Sequence, residues 1–96
     1  MAEKLNSQSV QGWLKNHAGW SRKSNALMKE FRFSSFRDAI VFVNRVATLA
    51  DGANHHPDIL VQYDRVQITL STHSAGGITE KDLKLAEQLD FSTSAG

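Results

Sequence analysis

Three of the four histidines lie in one short stretch of the chain, at positions 55, 56 and 73, and the carboxylates Asp51 and Asp82 flank them on adjoining predicted helices. Histidine is the side chain whose unperturbed pKa, about 6.5, allows it to donate or accept a proton near neutral pH. General acid-base catalysis is therefore the chemistry that His55, His56 and His73 favour.

The adjacent histidines can serve one pocket together only where the backbone is irregular, because neighbouring residues of a regular strand point to opposite faces. Pro57 indicates such a place, since it disfavours helical angles at His56 and lacks a backbone donor. His73 ends a predicted strand shortly before Gly76-Gly77, where the chain can bend sharply and approach a ligand closely. The sequence predicts two loops that present histidines.

A catalytic zinc ion held by three histidines is the competing chemical interpretation. Adjacent histidines lack the i, i+4 spacing of a helical pair such as H-E-x-x-H, so the spacing favours acid-base chemistry and we expect no metal. The chain contains no cysteine, no glycine-rich phosphate loop and no G-x-S-x-G motif. Nucleotide hydrolysis and covalent thiol catalysis are therefore excluded.

Several of these residues also have a purely structural interpretation. Asp82 can be the capping carboxylate of the last helix, and Asp51 a surface residue near a helix end. Spacing alone favours that interpretation for both. His17, on the first predicted helix, is best treated as solvated or locally hydrogen-bonded. His73 shares the parity of the polar residues of its strand, so it should face polar surroundings.

Composition is that of an ordinary globular domain, with 96 residues, 41% of them hydrophobic and 22% charged. A chain of this length supports one core, which predicts a single domain over residues 1–96. Its eleven basic residues are dispersed and the formal net charge is +1, which argues against a nucleic-acid face. No apolar run approaches the roughly 20 residues of a membrane span, and the first residues lack a secretory signal, so we expect a cytoplasmic protein without a membrane partner.

A helix and a hairpin are predicted in the first third of the chain. The helix has Ser7 or Ser9 as its N-cap and ends at Gly19. Extended pieces at 20–24 and 27–33 follow, joined by a turn. The residues at helical spacing are Val10, Trp13, Leu14 and His17, and the pair suited to the turn is Ser24-Asn25. One face of the second strand consists of Leu27, Phe31 and Phe33, and Lys29 is the polar exception on that face.

The strongest helical pattern begins at Ser35, which forms a capping box with Asp38. We expect this helix to end near Asp51-Gly52, because glycine is the usual residue just past a helix C-terminus. A loop through Pro57 follows. The apolar positions recur every three or four residues, at Phe36, Ala39, Ile40, Val43, Val46, Ala47 and Ala50.

Two strands and a last helix complete the predicted order. The strands lie between Asp58 and His73 with their turn at 63–65, and a second capping signature at Thr79 opens the helix, which should fray from Phe91. The order predicts an α+β domain of two layers, an antiparallel sheet with helices packed on one face. One face of the second strand consists of Val66, Ile68 and Leu70, and the other of Arg65, Gln67, Thr69, Ser71 and His73. The apolar face of the last helix consists of Leu85, Ala86 and Leu89.

The pattern Asp51-x-x-x-His55-His56-Pro57, followed at fixed spacing by Tyr63, His73 and Asp82, resembles the signature of the pterin-4a-carbinolamine dehydratases. It fixes seven positions across thirty-two residues. Upstream, Gly19-Trp20 and Phe31-x-Phe33-x-x-Phe36 are also similar to that family, so the resemblance covers nearly the whole chain.

The resemblance implies a four-stranded antiparallel sheet with helices on one side, assembled into homodimers or homotetramers. It implies a pterin pocket around the three histidines, and we predict that His55 and His73 exchange protons with the substrate while His56 mainly binds and orients it. Asp51 and Asp82 support this centre. Further contacts are implied for the residues beside the histidines, Asn54, Pro57, Ser71, Thr72 and Ser74.

The reaction implied by the resemblance removes water from the 4a-hydroxytetrahydropterin that an aromatic amino acid hydroxylase leaves behind. It gives a quinonoid dihydropterin, needs no cofactor, and belongs to tetrahydrobiopterin recycling, with the hydroxylase as a partner. The alternative is a binding module, because animal members of the family also act as dimerisation cofactors for a transcription factor. The histidine triad favours the enzyme, since a binding module would have no use for it.

Overall fold

The computed structural model describes residues 3–94. Within that range three α-helices and four strands follow one another in the predicted order, with a short 3₁₀ turn at His73–Ala75. No helix in this part of the chain is both long and apolar enough to span a membrane. The elements are α1 (Ser7–Lys15), β1 (Ser21–Lys23), β2 (Ala26–Arg32), α2 (Phe36–Ala53), β3 (Asp58–Gln62), β4 (Arg65–Leu70) and α3 (Glu80–Ser94).

The four strands form one antiparallel sheet in the order β1-β2-β4-β3. Leu27 of β2 pairs with Leu70 of β4, and Asp58 of β3 pairs with Thr69 of β4. One face of the sheet joins residues of all three helices in a single core, which confirms the predicted two-layer α+β fold. The inward residues of β2 and β4 are Leu27, Phe31, Val66, Ile68 and Leu70, all buried.

Lys29 shares the inward parity of β2, and its surroundings explain this exception. Its Nζ donates hydrogen bonds to Asp90 Oδ1 at 2.7 Å and to the Ala18 carbonyl at 3.2 Å. The same ammonium lies 4.9 Å from the centre of the Phe31 ring. The aliphatic stem thus covers apolar surface while the charge meets a carboxylate and an aromatic face.

Both ends of α1, and the end of α3, differ from the prediction. Asn6, not Ser7 or Ser9, is the N-cap of α1, since its side-chain oxygen accepts a hydrogen bond from the Ser9 N–H at 2.8 Å. The helix then ends at Lys15, short of Gly19. At the other end of the chain α3 continues to Ser94. The predicted fraying is wrong for residues 91–94, and residues 95–96 lie outside the described range.

The apolar face of α2 is rotated from the predicted one. Phe42 is buried although it is absent from the predicted stripe, and its ring lies 4.7 Å from that of Phe31 and 5.1 Å from that of Phe33. Phe36 is 51% exposed and Ala47 is also exposed. Two stripes overlap in this helix, and aromatic packing on β2 selects the one through Phe42.

The end of α2 lies at Ala53, beyond the predicted Asp51-Gly52. Asn54 adopts the left-handed conformation, with φ of 50°. Its N–H donates to the Asp51 carbonyl at 3.2 Å, and the His55 N–H donates to the Ala50 carbonyl at 3.1 Å. These two bonds are the Schellman arrangement, in which asparagine can replace the usual glycine. They fix the direction in which the chain leaves α2.

Candidate active site

The Schellman turn delivers His55 to the first turn of α3. His55 Nε2 lies 2.5 Å from Asp82 Oδ1, with the carboxylate side chain fully buried and the imidazole 10% exposed. Asp82 also accepts a hydrogen bond from the Thr79 N–H at 2.9 Å, so its predicted capping role is confirmed. One carboxylate therefore both caps α3 and holds His55.

Two threonine hydroxyls complete a directional network around Asp82. The Thr72 hydroxyl donates to Asp82 Oδ2 at 2.9 Å and lies 2.8 Å from the Thr79 hydroxyl. The Lys81 N–H donates to the Thr79 oxygen at 3.2 Å. Since the proton of Thr72 is directed at the carboxylate, the Thr79 hydroxyl must donate to Thr72. Every proton in the chain of bonds thus points toward Asp82.

Asp82 is the acceptor in its bonds with Thr72 and Thr79, which bears on the tautomer of His55. An ionised carboxylate can only accept hydrogen bonds, so Nε2 of His55 is the donor to Asp82. A neutral His55 therefore carries its proton on Nε2 and keeps the lone pair of Nδ1 free. A carboxylate on one nitrogen that orients the ring and leaves the other available is the usual way to prepare a catalytic imidazole.

His56 points to a different carboxylate. Its Nε2 lies 2.9 Å from Asp51 Oδ1 on the last turns of α2, and the two side chains are 58% and 77% exposed. The two imidazoles therefore point to different elements, His55 to α3 and His56 back to α2. The adjacent histidines are therefore held by separate carboxylates, one buried and one at the surface.

A cavity of about 190 Å³ opens at the end of β4, on the side of the sheet away from the helices. His56 and His73 both line it, together with Ser71, whereas His55 lies outside its lining. His73 begins the 3₁₀ turn, and its side chain has no hydrogen-bond partner among residues 3–94. The lining consists of Ala26, His56, Asp58, Thr69, Ser71 and His73.

The other predicted contact residues lie around this cavity, outside its lining. Thr72 is buried in the Asp82 network, and Asn54 terminates α2. Pro57 is half-buried and Ser74 is exposed. The structure thus divides the predicted site into a buried network, defined as His55, Thr72, Thr79 and Asp82, and an open cavity that contains His56, Ser71 and His73.

Sequence reasoning missed three lining residues, Ala26, Asp58 and Thr69. Thr69 could have been found, because it shares the parity of Ser71 and His73. Asp58 could not, because its place opposite Thr69 depends on the Gln62 to Arg65 pairing that closes the hairpin, whereas the predicted turn at 63–65 left Arg65 out of the strand. Ala26 carried no such signal.

The fourth histidine has a structural role. The His17 ring stacks on Trp13 with centroids 3.9 Å apart, and its Nδ1 lies 2.7 Å from the Trp13 carbonyl oxygen. Its Nε2 lies 3.6 Å from a carboxylate oxygen of Glu87. Among residues 3–94, no group of three or more histidine, aspartate or glutamate side chains is placed to hold a metal ion.

Comparison with known proteins identifies the family. A family model described as pterin 4 alpha carbinolamine dehydratase matches residues 3–91. The chain belongs to this family. It is 48% identical to a protein of Thermomicrobium roseum named "Putative pterin-4-alpha-carbinolamine dehydratase", over 90% of this chain and 92% of that one. A protein of the same name from Sulfurisphaera tokodaii is 42% identical, over 92% and 95% of the two chains.

Two solved structures share the fold. A transcriptional coactivator/pterin dehydratase from Brucella melitensis superposes with a TM-score of 0.89 at 32% identity, covering 93% of this chain and 97% of that one. A pterin dehydratase-like protein, described as a RuBisCO assembly factor in the alpha-carboxysome, superposes with a TM-score of 0.62 at 27% identity, covering 75% and 83%. This architecture therefore occurs in proteins described by different roles.

Proposed function

We propose that this protein removes water from a 4a-hydroxytetrahydropterin to give a quinonoid dihydropterin, by histidine acid-base catalysis, in tetrahydrobiopterin recycling. The chain belongs to the dehydratase family, and one observation of its structure supports the proposal. The signature histidines occupy three distinct environments, one bound to a buried carboxylate, one bound to a surface carboxylate, and one unpartnered in a cavity.

The chemistry requires both an acid and a base. Hydroxide is a poor leaving group, so a general acid must protonate the 4a-oxygen while the neighbouring ring nitrogen supplies the electron pair that breaks the carbon–oxygen bond. A base must then remove a ring proton to give the neutral product. Each positioned proton transfer typically contributes about 10²–10⁴-fold to the rate.

The environments of the histidines suggest their roles. His73 lines the cavity with both ring nitrogens uncommitted, which suits a group that exchanges a proton with the substrate. His55 keeps only Nδ1 free and reaches solvent through the 10% of its side chain that is exposed, which suits a second proton-transfer group of fixed orientation. His56, restrained by Asp51 at the rim, binds and orients the ring.

Single substitutions test these roles on a chemically generated carbinolamine. We expect His73→Ala and His55→Gln to lower kcat by about 10²-fold or more. Glutamine keeps an N–H donor for Asp82, so the buried carboxylate retains its hydrogen bond. It cannot, however, transfer a proton. His56→Ala should act mainly by raising KM. His17→Gln is the matched control and should leave both constants unchanged.

Near-full activity in all three variants, with pterin binding intact, would remove the acid-base proposal. The rival function, a dimerisation cofactor for a transcription factor, predicts no turnover by the wild-type protein together with co-purification of such a factor. The hydroxylase partner and the homodimer or homotetramer implied by the family resemblance stay predictions.

A further inference from the structure

The polar lining of the cavity is largely unpartnered. Asp58, Thr69, Ser71 and His73 have no side-chain hydrogen bond to any residue within 3–94, whereas His56 is bound to Asp51. Hydrogen-bonding groups that converge on one concavity without partners are available to a ligand. Asp58 is the only carboxylate among these lining residues, and no lysine or arginine lines the cavity to neutralise it.

The backbone holds Asp58 and Thr69 side by side. They are direct partners in the β3–β4 ladder, and residues opposite each other in an antiparallel pair carry their side chains on the same face, about 5 Å apart at Cβ. A carboxylate and a hydroxyl are therefore fixed next to each other by main-chain pairing, before any ligand binds.

We propose that Asp58, assisted by Thr69, recognises the aminopyrimidine edge of the pterin and so determines substrate specificity. This inference rests on the proposed function. That edge carries two adjacent donors, the ring N3–H and the exocyclic 2-amino group, and a carboxylate can accept a hydrogen bond from both. The Thr69 hydroxyl oxygen can accept a hydrogen bond from the other N–H of the 2-amino group.

The proposed orientation agrees with the chemistry. In the pyrimidine ring, carbon 2 and carbon 4a lie directly opposite each other. When Asp58 holds the edge at carbon 2, carbon 4a with its hydroxyl points away from β3, toward the rest of the lining. His56 and His73 are the histidines found there. One carboxylate at the strand start would thus aim the reacting carbon at His73, the proton-transfer group in the lining.

Asp58→Asn is the direct test, because it preserves shape but turns one acceptor oxygen into a donor. We expect KM for the carbinolamine, and Kd for 7,8-dihydropterin measured by fluorescence titration, each to rise about tenfold or more, with kcat within about twofold. Thr69→Val should raise the same constants about threefold. Asp64→Asn, which removes a carboxylate from the opposite end of the same hairpin, is the control and should change neither.

A second measurement uses the wild-type protein and a ligand that lacks the recognised group. A 7,8-dihydrolumazine has oxygen in place of the 2-amino group, so the wild-type protein should bind it about tenfold or more weakly than 7,8-dihydropterin. Asp58→Asn should reduce that preference, a change that general damage to the fold would not produce.

The outcomes separate this inference from the proposed function. Unchanged dihydropterin binding in Asp58→Asn overturns the recognition role even if the wild-type protein is an active dehydratase. No wild-type turnover, combined with weaker dihydropterin binding in Asp58→Asn, overturns the dehydratase and supports the recognition role. A wild-type protein that binds no dihydropterin overturns the recognition role, and its turnover then decides the dehydratase separately.

Discussion

The two histidine–carboxylate pairs of this site form under opposite conditions. His55 and Asp82 meet at 10% and 0% exposure, whereas His56 and Asp51 meet at 58% and 77%. In the interior a carboxylate must be compensated by hydrogen bonds, and Asp82 has them from Thr72 and Thr79. At the surface, water supplies hydrogen bonds to the carboxylate. The same two residue types thus give one imidazole enclosed by the protein and one that lies largely in solvent.

The largest expected effect removes the buried carboxylate. Asp82→Ala leaves the His55 ring, the Thr72 hydroxyl and the Thr79 N–H without their acceptor, and we expect it to lower the free energy of unfolding by about 3–5 kcal/mol. Asp51→Ala is the matched variant of the surface pair and should change it by about 0.5 kcal/mol or less. Urea denaturation of both proteins measures the contrast. Equal losses of unfolding free energy in the two variants would show that burial does not distinguish the two histidine–carboxylate pairs.

A smaller effect is expected from the hydroxyl behind the carboxylate. Thr72→Val keeps the shape of the side chain but removes its donor to Asp82 and its contact with Thr79. We expect a loss of about 1.5–3 kcal/mol in the free energy of unfolding, as for hydrogen bonds to charged groups. Thr48→Val is a suitable control, because the Thr48 hydroxyl is exposed and bonds only to the Asn44 carbonyl within its own helix. A Thr72→Val protein as stable as the wild type would show that Asp82 does not depend on this donor.

The smallest effect is expected at the turn that delivers His55. Asn54→Ala places a side chain without local hydrogen bonding in the left-handed conformation and should cost about 1 kcal/mol. Asn54→Gly should cost nothing or stabilise slightly, since glycine adopts that conformation without strain. Thermal unfolding ranks the three proteins. If alanine matched glycine here, the Schellman turn would not be what holds the histidine segment.

Sequence reasoning predicted the elements wherever one local rule dominated. Ser35 is the N-cap of α2, with its hydroxyl oxygen accepting from the Asp38 N–H at 3.1 Å, and the alternation of β4 correctly assigns its buried residues. Sequence reasoning failed where two local rules competed. Gly52 and Asn54 could both end α2, and only the bonds made by Asn54 and His55 decide between them.

For the candidate site, the sequence offered a set of residues but not the way in which they pair. Motif spacing selects His55, His56 and His73, but one sequence does not say that Asp82 reaches His55 across 27 positions while Asp51 takes His56. That division depends on how α3 docks against the end of α2. Asp58 was missed for another reason, since it matters only through strand register and belongs to no motif.

The β3–β4 connection gives this register a further significance. Only Tyr63 and Asp64 separate the two strands, with Tyr63 at φ of 56° and the Asp64 carbonyl bound by the Phe33 N–H at 2.9 Å. If one residue were inserted there and the connection kept its two-residue length, Ile59 would take the place of Asp58 opposite Thr69, and a hydrocarbon would replace a charge. The charge of the cavity lining therefore depends on a strand register that is set by the loop at the far end of the hairpin, and not only on the residues of the cavity itself.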